Sequence, residues 1–232
     1  ASWTETVTVG ADQDATDYVE FDYASPGTCW TTNQSGFNYA QWTLLQSLAD
    51  SYGDRFIVRI WENAVEYDGF ETMSRSLESV GTTIPEALKR WRVQNFARDY
   101  DLAPHFTRTV DKAGTINRDG QWAPRARIEQ LGANYVSVNV RGPRTFSVRG
   151  DNLELVGLGR RNGQIEVFPL GRSGVFDASQ FEDATLMVFN NAVPHAPGEC
   201  SGQSYSITTS AATGAMSQPQ YHFSARHFAP PS

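Results

Sequence analysis

Two periods of hydrophobic patterning divide this chain. Tyr39, Trp42, Leu45, Leu48 and Ala49 recur at the three-and-four spacing of one helix face, and Gly53 stands where a helix end favours a left-handed residue. Asp54 can cap a second helix carrying Phe56, Ile57, Ile60 and Trp61 on its apolar face, while Phe70, Met73, Leu77 and Val80 mark a third that ends at Gly81. Thr83-Ile84-Pro85-Glu86 has the form of a capping box, in which hydroxyl and carboxylate satisfy free amides and the proline sits in the first turn. The fourth helix that follows has Ile84, Leu88 and Trp91 on its face, continues through Phe96 to Tyr100, and stops before Pro104. Residues 37–103 therefore read as a small array of antiparallel helices. The stretch from Ala1 to Gly36 is acidic and weakly periodic, and predicts a loop-rich leading segment.

After a polar connector, Asp111 to Gly120, the spacing changes to alternation: Val136, Val138 and Val140, then Phe146 and Val148, then Leu153 and Leu155. Asn162-Gly163, between two apolar runs, is the dipeptide that accepts the positive φ angles of a tight hairpin. Further strands are expected at 174–176, 185–190 and 204–209. The pattern predicts an α+β protein, a helical subdomain over residues 1–112 followed by an antiparallel β-sandwich of jelly-roll or immunoglobulin type over 113–232. Its C-terminal tail still holds Tyr221, Phe223, His227 and Phe228, enough apolar surface to dock.

The formal charge of −7, with Lys and Arg interspersed among acidic residues, leaves no electrostatic footprint for phosphate backbones, so nucleic acid is not an expected partner. Runs such as Phe56 to Trp61 and Ala184 to Phe189 fall far short of the roughly 20 residues that span a bilayer. The chain starts at Ala1 without methionine or apolar leader, which reads as a processed product. Its two cysteines, Cys29 and Cys200, lie in Gly, Ser and Thr-rich text, and with few charged residues they predict a disulfide in a secreted protein.

Complete catalytic motifs are missing from the sequence. His-Glu-x-x-His, Gly-x-Ser-x-Gly and the Walker and dinucleotide fingerprints are all absent. His222 and His227 are five apart, which suits neither a helix face nor a strand face, and His105 and His195 sit beside prolines in turn-like text. Asp12, Asp14 and Asp17 are candidate calcium ligands by oxygen chemistry, although the EF-hand glycine and terminal glutamate are lacking. Glu62, Glu66, Asp68 and Glu71 gather carboxylates near one helix junction, where a glycosidase-like pair would need them to meet in space, and solvated surface charge is the default reading of them. Asn33-Gln34-Ser35 is a formal glycosylation sequon. Trp3, Trp30 and Trp122 stand in polar text where indole rings could stack on sugars, the alternative being core packing.

A resemblance adds to this reading. The run from Tyr39-Ala40-Gln41-Trp42 through Leu48, then Tyr52-Gly53-Asp54, Ile57-Val58-Arg59-Ile60-Trp61-Glu62 and Ser76 to Thr83, is similar to secreted bacterial zinc-metallopeptidase-like proteins. The resemblance covers residues 1–110 and implies an order: a zinc helix, a Trp-x-Glu segment, this helical half, then β-sandwich modules. Ala1-Ser2-Trp3-Thr4-Glu5 resembles the Trp-x-Glu segment, which makes Glu5 a candidate metal ligand. The family's two histidines and general-base glutamate would lie upstream of Ala1, so zinc would require ligands from an associated N-terminal fragment. Three functions follow: the C-terminal part or a degenerate relative of such a peptidase; an extracellular module binding carbohydrate or a cell-surface protein; and a metal-free secreted hydrolase whose carboxylates meet only in the fold.

Overall fold

The computed structural model describes residues 2–10, 13–32, 36–212 and 214–224, except the side chains of residues 2, 13–15 and 224. The helices are α1 (Ser2–Val9), α2 (Gln13–Ala24), α3 (Phe37–Ala40), α4 (Trp42–Tyr52), α5 (Asp54–Asn63), α6 (Gly69–Glu78) and α7 (Ile84–Ala97). The leading segment, expected to be loop-rich, is thus mostly helical among its described residues. The inward face of α2 is Thr16, Val19, Asp22 and Tyr23, all buried at helical spacing. Two of those four are polar, so hydrophobic periodicity could not expose the helix.

Gly53, at φ 83°, ends α4. In α5, Phe56 and Ile57 are buried, but Trp61 is 62% exposed and does not join the buried apolar face expected for it. The Thr83 hydroxyl caps α7 by accepting from the Glu86 amide at 3.4 Å. The reciprocal half of the capping box does not form, because the Glu86 carboxylate turns to Lys89 at 2.8 Å. Thr83→Ala is expected to cost about 1 kcal/mol, read as a lower urea midpoint at unchanged m-value. The helix ends at Ala97, earlier than its apolar spacing suggests, because Arg98 turns left-handed at φ 54°. The Arg98 guanidinium then donates to the carbonyls of Ala103 and Phe106 at 2.6 and 2.7 Å, closing the loop.

The strands are β1 (Lys112–Ile116), β2 (Gly120–Trp122), β3 (Ile128–Glu129), β4 (Ala133–Val138), β5 (Arg144–Arg149), β6 (Leu153–Arg161), β7 (Gln164–Gly171), β8 (Ser173–Phe176), β9 (Asp183–Asn190), β10 (Gly202–Gln203), β11 (Ser206–Ala211) and β12 (Tyr221–Ser224). They form a six-stranded sheet in the order β1-β4-β9-β6-β7-β12, a four-stranded sheet β2-β11-β5-β8, and the short pair β10-β3. Every pairing is antiparallel except β1 with β4, so the large sheet is mixed, and part of the expected polar connector is its edge strand. Asn162 and Gly163, at φ 51° and 71°, turn the β6–β7 hairpin as their chemistry predicts. β12 pairs with β7, docking the chain through Ser224; His227 and Phe228 lie outside the described residues.

The result is an α+β architecture of three layers. Val136, Val138, Leu155, Phe168, Leu186 and Val188 on one face of the large sheet meet Phe146, Val148, Phe176 and Ile207 of the small sheet. On the other face, Tyr135, Val156, Leu158, Val167, Met187 and Phe189 pack in one cluster with Trp42, Leu48, Leu77, Leu88 and Trp91 of the helices. Burial on both faces explains why β6 and β9 read as near-continuous apolar runs. Cys29, after α2, is disulfide-bonded to Cys200, between β9 and β10, joining the helical and sheet segments. Such a bond is characteristic of chains that fold in oxidising compartments. None of the helices is long and apolar enough to cross a membrane among the described residues.

Candidate functional site

The side chains that converge with chemical capacity surround α1. On α4, Trp42, Gln46 and Asp50 recur every four residues, which places them in one row along the helix, and on α7 Arg90 and Gln94 do the same. The two rows face a cleft of about 580 Å³, closed by Thr6 and Val7 of α1, by Asp99 to Leu102, and by His222 and Phe223 of β12. A hydrogen-bonded chain fixes its floor. The Trp3 indole donates to Gln46 Oε1 at 3.1 Å, Gln46 Nε2 donates to one Asp50 oxygen at 2.7 Å, and Gln94 Nε2 donates to the other at 2.8 Å. Gln94 also reaches the Asp99 carbonyl at 2.9 Å. The Arg90 guanidinium donates to Ser51 Oγ at 2.9 Å and lies over the rings of Tyr221 and Phe223. With Asp50, Asp99 and Asp101 against Arg90, the cleft is net acidic and rich in groups that bind polar ligands.

Also bordering α1, and sharing Trp42 with the cleft, is an aromatic groove of about 320 Å³, lined by Trp3, Trp30, Tyr39 and Trp42 with the amides of Asn38 and Gln41. Gln41 Nε2 donates to the Trp30 carbonyl, and Tyr39 stacks on Tyr18 at 4.8 Å between centroids. Trp3 and Trp30 thus meet at one surface. Trp122 does not join them: it is half-buried against the sandwich core, where its ring crosses so close above Gly114 that a Cβ there would lie 2.8 Å from it.

Glu5 and Asp17 are exposed, Asp14 and Asp17 lie in α2 rather than in a loop, and Asp12, the Asp14 side chain and the sequon at 33–35 lie outside the described residues. Among the described residues no three His, Cys, Asp or Glu side chains gather where they could hold a metal ion, so these residues do not fit a zinc site by themselves. Glu62, Glu66, Asp68 and Glu71 stay exposed at the α5–α6 junction, away from the cleft. The cleft residues Gln46, Asp50, Arg90 and Gln94 were not singled out from sequence. Their spacing of four within helices was the available signal.

A second polar assembly is structural. Asp22 and Arg92 form a buried ion pair, Asn95 donates to the second Asp22 oxygen at 2.8 Å, and Arg92 donates to the Thr28 carbonyl at 3.0 Å. The Tyr135 hydroxyl donates to the Arg92 carbonyl at 2.7 Å. Burial pushes the Asp22 carboxyl above its ordinary value, against the Arg92 charge and the Arg92 and Asn95 hydrogen bonds that pull it down. The Tyr135 phenol is likewise raised by burial. Neither group opens onto the cleft.

Fold and site define a disulfide-bonded α+β protein with a polar cleft and an aromatic groove flanking its first helix. No protein-family model matches the chain, and no curated protein matches it. It is similar to the crystal structure of PliG from Salmonella Typhimurium, a periplasmic inhibitor of g-type lysozyme, at 13% identity and a TM-score of 0.32, over 43% of this chain and 97% of that one. A likeness at that TM-score carries no argument about function.

Proposed function

We propose that this chain is the C-terminal part, or a degenerate relative, of a secreted metallopeptidase-like protein and is not catalytically complete alone. The supporting observation is the placement of α1. The helix carrying Trp3 and Glu5, the pair that resembles the family's Trp-x-Glu segment, is tied through Gln46 to Asp50 and so to the polar cleft. In this reading the metal ligands come from an associated upstream segment, and the cleft supplies one wall for a polar substrate. Peptide hydrolysis by the natively isolated protein is then expected to vanish with a zinc chelator and return with added zinc. Hydrolysis that ignores the chelator contradicts the proposal.

A second reading, an extracellular module that binds carbohydrate or a cell-surface protein, is favoured by the meeting of Trp3 and Trp30 with Tyr39 in one groove. Sugar-dependent quenching of tryptophan emission that is lost in Trp30→Ala would support it, and emission unchanged across a panel of sugars would count against it.

A further inference from the structure

Helix α5 is apolar on two faces, and only one of them is used. Phe56 and Ile57 are buried at 3% exposure each, while Val58, Trp61 and Val65 stand 56%, 62% and 86% exposed. At about 100° per residue, positions 58, 61 and 65 share one stripe, and the helical hydrogen bonding carries on past Asn63, with Ala64 bonded to Ile60 and Val65 to Glu62. An exposed indole between two exposed valines is a contiguous patch, unlike a scattered surface residue.

The charges beside the stripe have an order. Arg55, Arg59, Glu62 and Glu66 are all exposed and, at the same helical pitch, fall on one flank of it. Read along the axis, that flank runs from two cations to two anions. Apart from Asp54, this opposes the helix dipole, which favours anions at the N-terminal end and cations at the C-terminal end. Arg55, Glu62 and Glu66 make no ion pair among the described residues, and Arg59 donates to Ser79 Oγ at 2.7 Å. Apart from that one bond, these charges find no partner in their own chain among the described residues.

It becomes complementary against itself. When two copies of one helix pack antiparallel about a two-fold axis, like flanks meet and run in opposite directions. With Trp61 near the axis, Arg55 and Arg59 of each copy come opposite Glu66 and Glu62 of the other. We propose that α5 is a self-association face on which a second copy of this chain docks as an antiparallel helix pair, Trp61 at its centre. A single helix pair covers less area than the roughly 1,200 Å² of a standard interface, so the dimer is weak, in about the micromolar range or weaker, and loosened by salt.

Sedimentation of the full chain from about 1 to about 300 µM, at low and high salt, tests this. A concentration-dependent dimer is expected at low salt, and Trp61→Glu abolishes it while leaving the melting curve in place, since the side chain is exposed. Arg55→Glu with Arg59→Glu makes the flank wholly acidic, and Glu62→Arg with Glu66→Arg makes it wholly basic. Each double variant alone is expected to be monomeric, and an equimolar mixture of the two to form a heterodimer. A wild type that stays monomeric at low salt overturns the proposal whatever else binds the stripe. So does a wild-type dimer that survives Trp61→Glu, or charge variants that fail to associate when mixed.

Discussion

Asp22→Ala is expected to lower stability by about 3–5 kcal/mol, the largest loss from any single substitution of a polar residue considered for this chain. Arg92 is 0% and Asp22 2% exposed, so deleting the carboxylate leaves a guanidinium in the core without its counter-charge and an Asn95 amide without its acceptor. The loss spreads because the network ties four segments together: α2 through Asp22, α7 through Arg92 and Asn95, the turn before Cys29 through Thr28, and β4 through Tyr135. At about 2–4 °C per kcal/mol for a chain of this size, the melting temperature falls by about 10 °C. Removing both charges, in Asp22→Leu with Arg92→Met, is expected to cost less than the sum of the single changes, because no unpaired charge remains. Thermal and urea unfolding of the two single variants and the double variant measure this. A loss below about 1 kcal/mol in Asp22→Ala would show that Arg92 reaches water or another anion.

Removing the disulfide ranks beside it. The bond spans 171 residues, and the chain-entropy account assigns a closure of that length roughly 5 kcal/mol. Cys29→Ser with Cys200→Ser is therefore expected to lose about 3–5 kcal/mol. The loss should also be local in a defined way. The Cys29 side is held without the bond: Glu129 and Ala133 amides donate to the carbonyls of Gly27 and Pro26, each at 2.9 Å, and the Cys29 amide donates to the Glu129 carboxylate at 2.8 Å. On the Cys200 side Ser201 is tied to Gln130 and β10 pairs with β3, but residues 193–200 rest on little beyond the Gly198 amide donating to Thr31 Oγ1 at 3.2 Å and the Val193 carbonyl accepting from Gln130 at 3.4 Å. Amide hydrogen exchange should show protection lost over residues 193–200 and retained over 25–29. Equal loss on both sides would mean that the bond organises both loops.

What the sequence disclosed and what it hid have separate physical causes. The helices from Trp42 to Ala97 were legible because each presents aliphatic and aromatic residues to one core at helical spacing, with Gly53, Gly81 and Thr83 as punctuation. Asn162-Gly163 was legible because few dipeptides tolerate two successive positive φ angles. Helix α2 was hidden by Asp22, which reads as a solvent residue until Arg92, 70 positions later, is placed against it. Strand β1 was hidden because Lys112 and Gly114 break its alternation, and its parallel pairing with β4 depends on contacts that no local pattern encodes. Trp61 misled, since an indole at a helical position is read as core, and only the packing of α5 shows it turned outward. The cleft was unreadable as a unit: Gln46, Asp50, Arg90 and Gln94 come from two helices, and β12 closes it with His222 from more than a hundred residues away.

The central claim, that α1 adjoins a metal-binding segment which the described residues do not supply, is tested most directly by intact mass together with metal analysis of the protein isolated from its native source. The account predicts zinc accompanied by an upstream peptide, either continuous with this chain or bound to it and carrying His-Glu-x-x-His. A protein of this chain's own mass, free of zinc and of any companion fragment, would contradict it and leave the aromatic groove as the better guide to function.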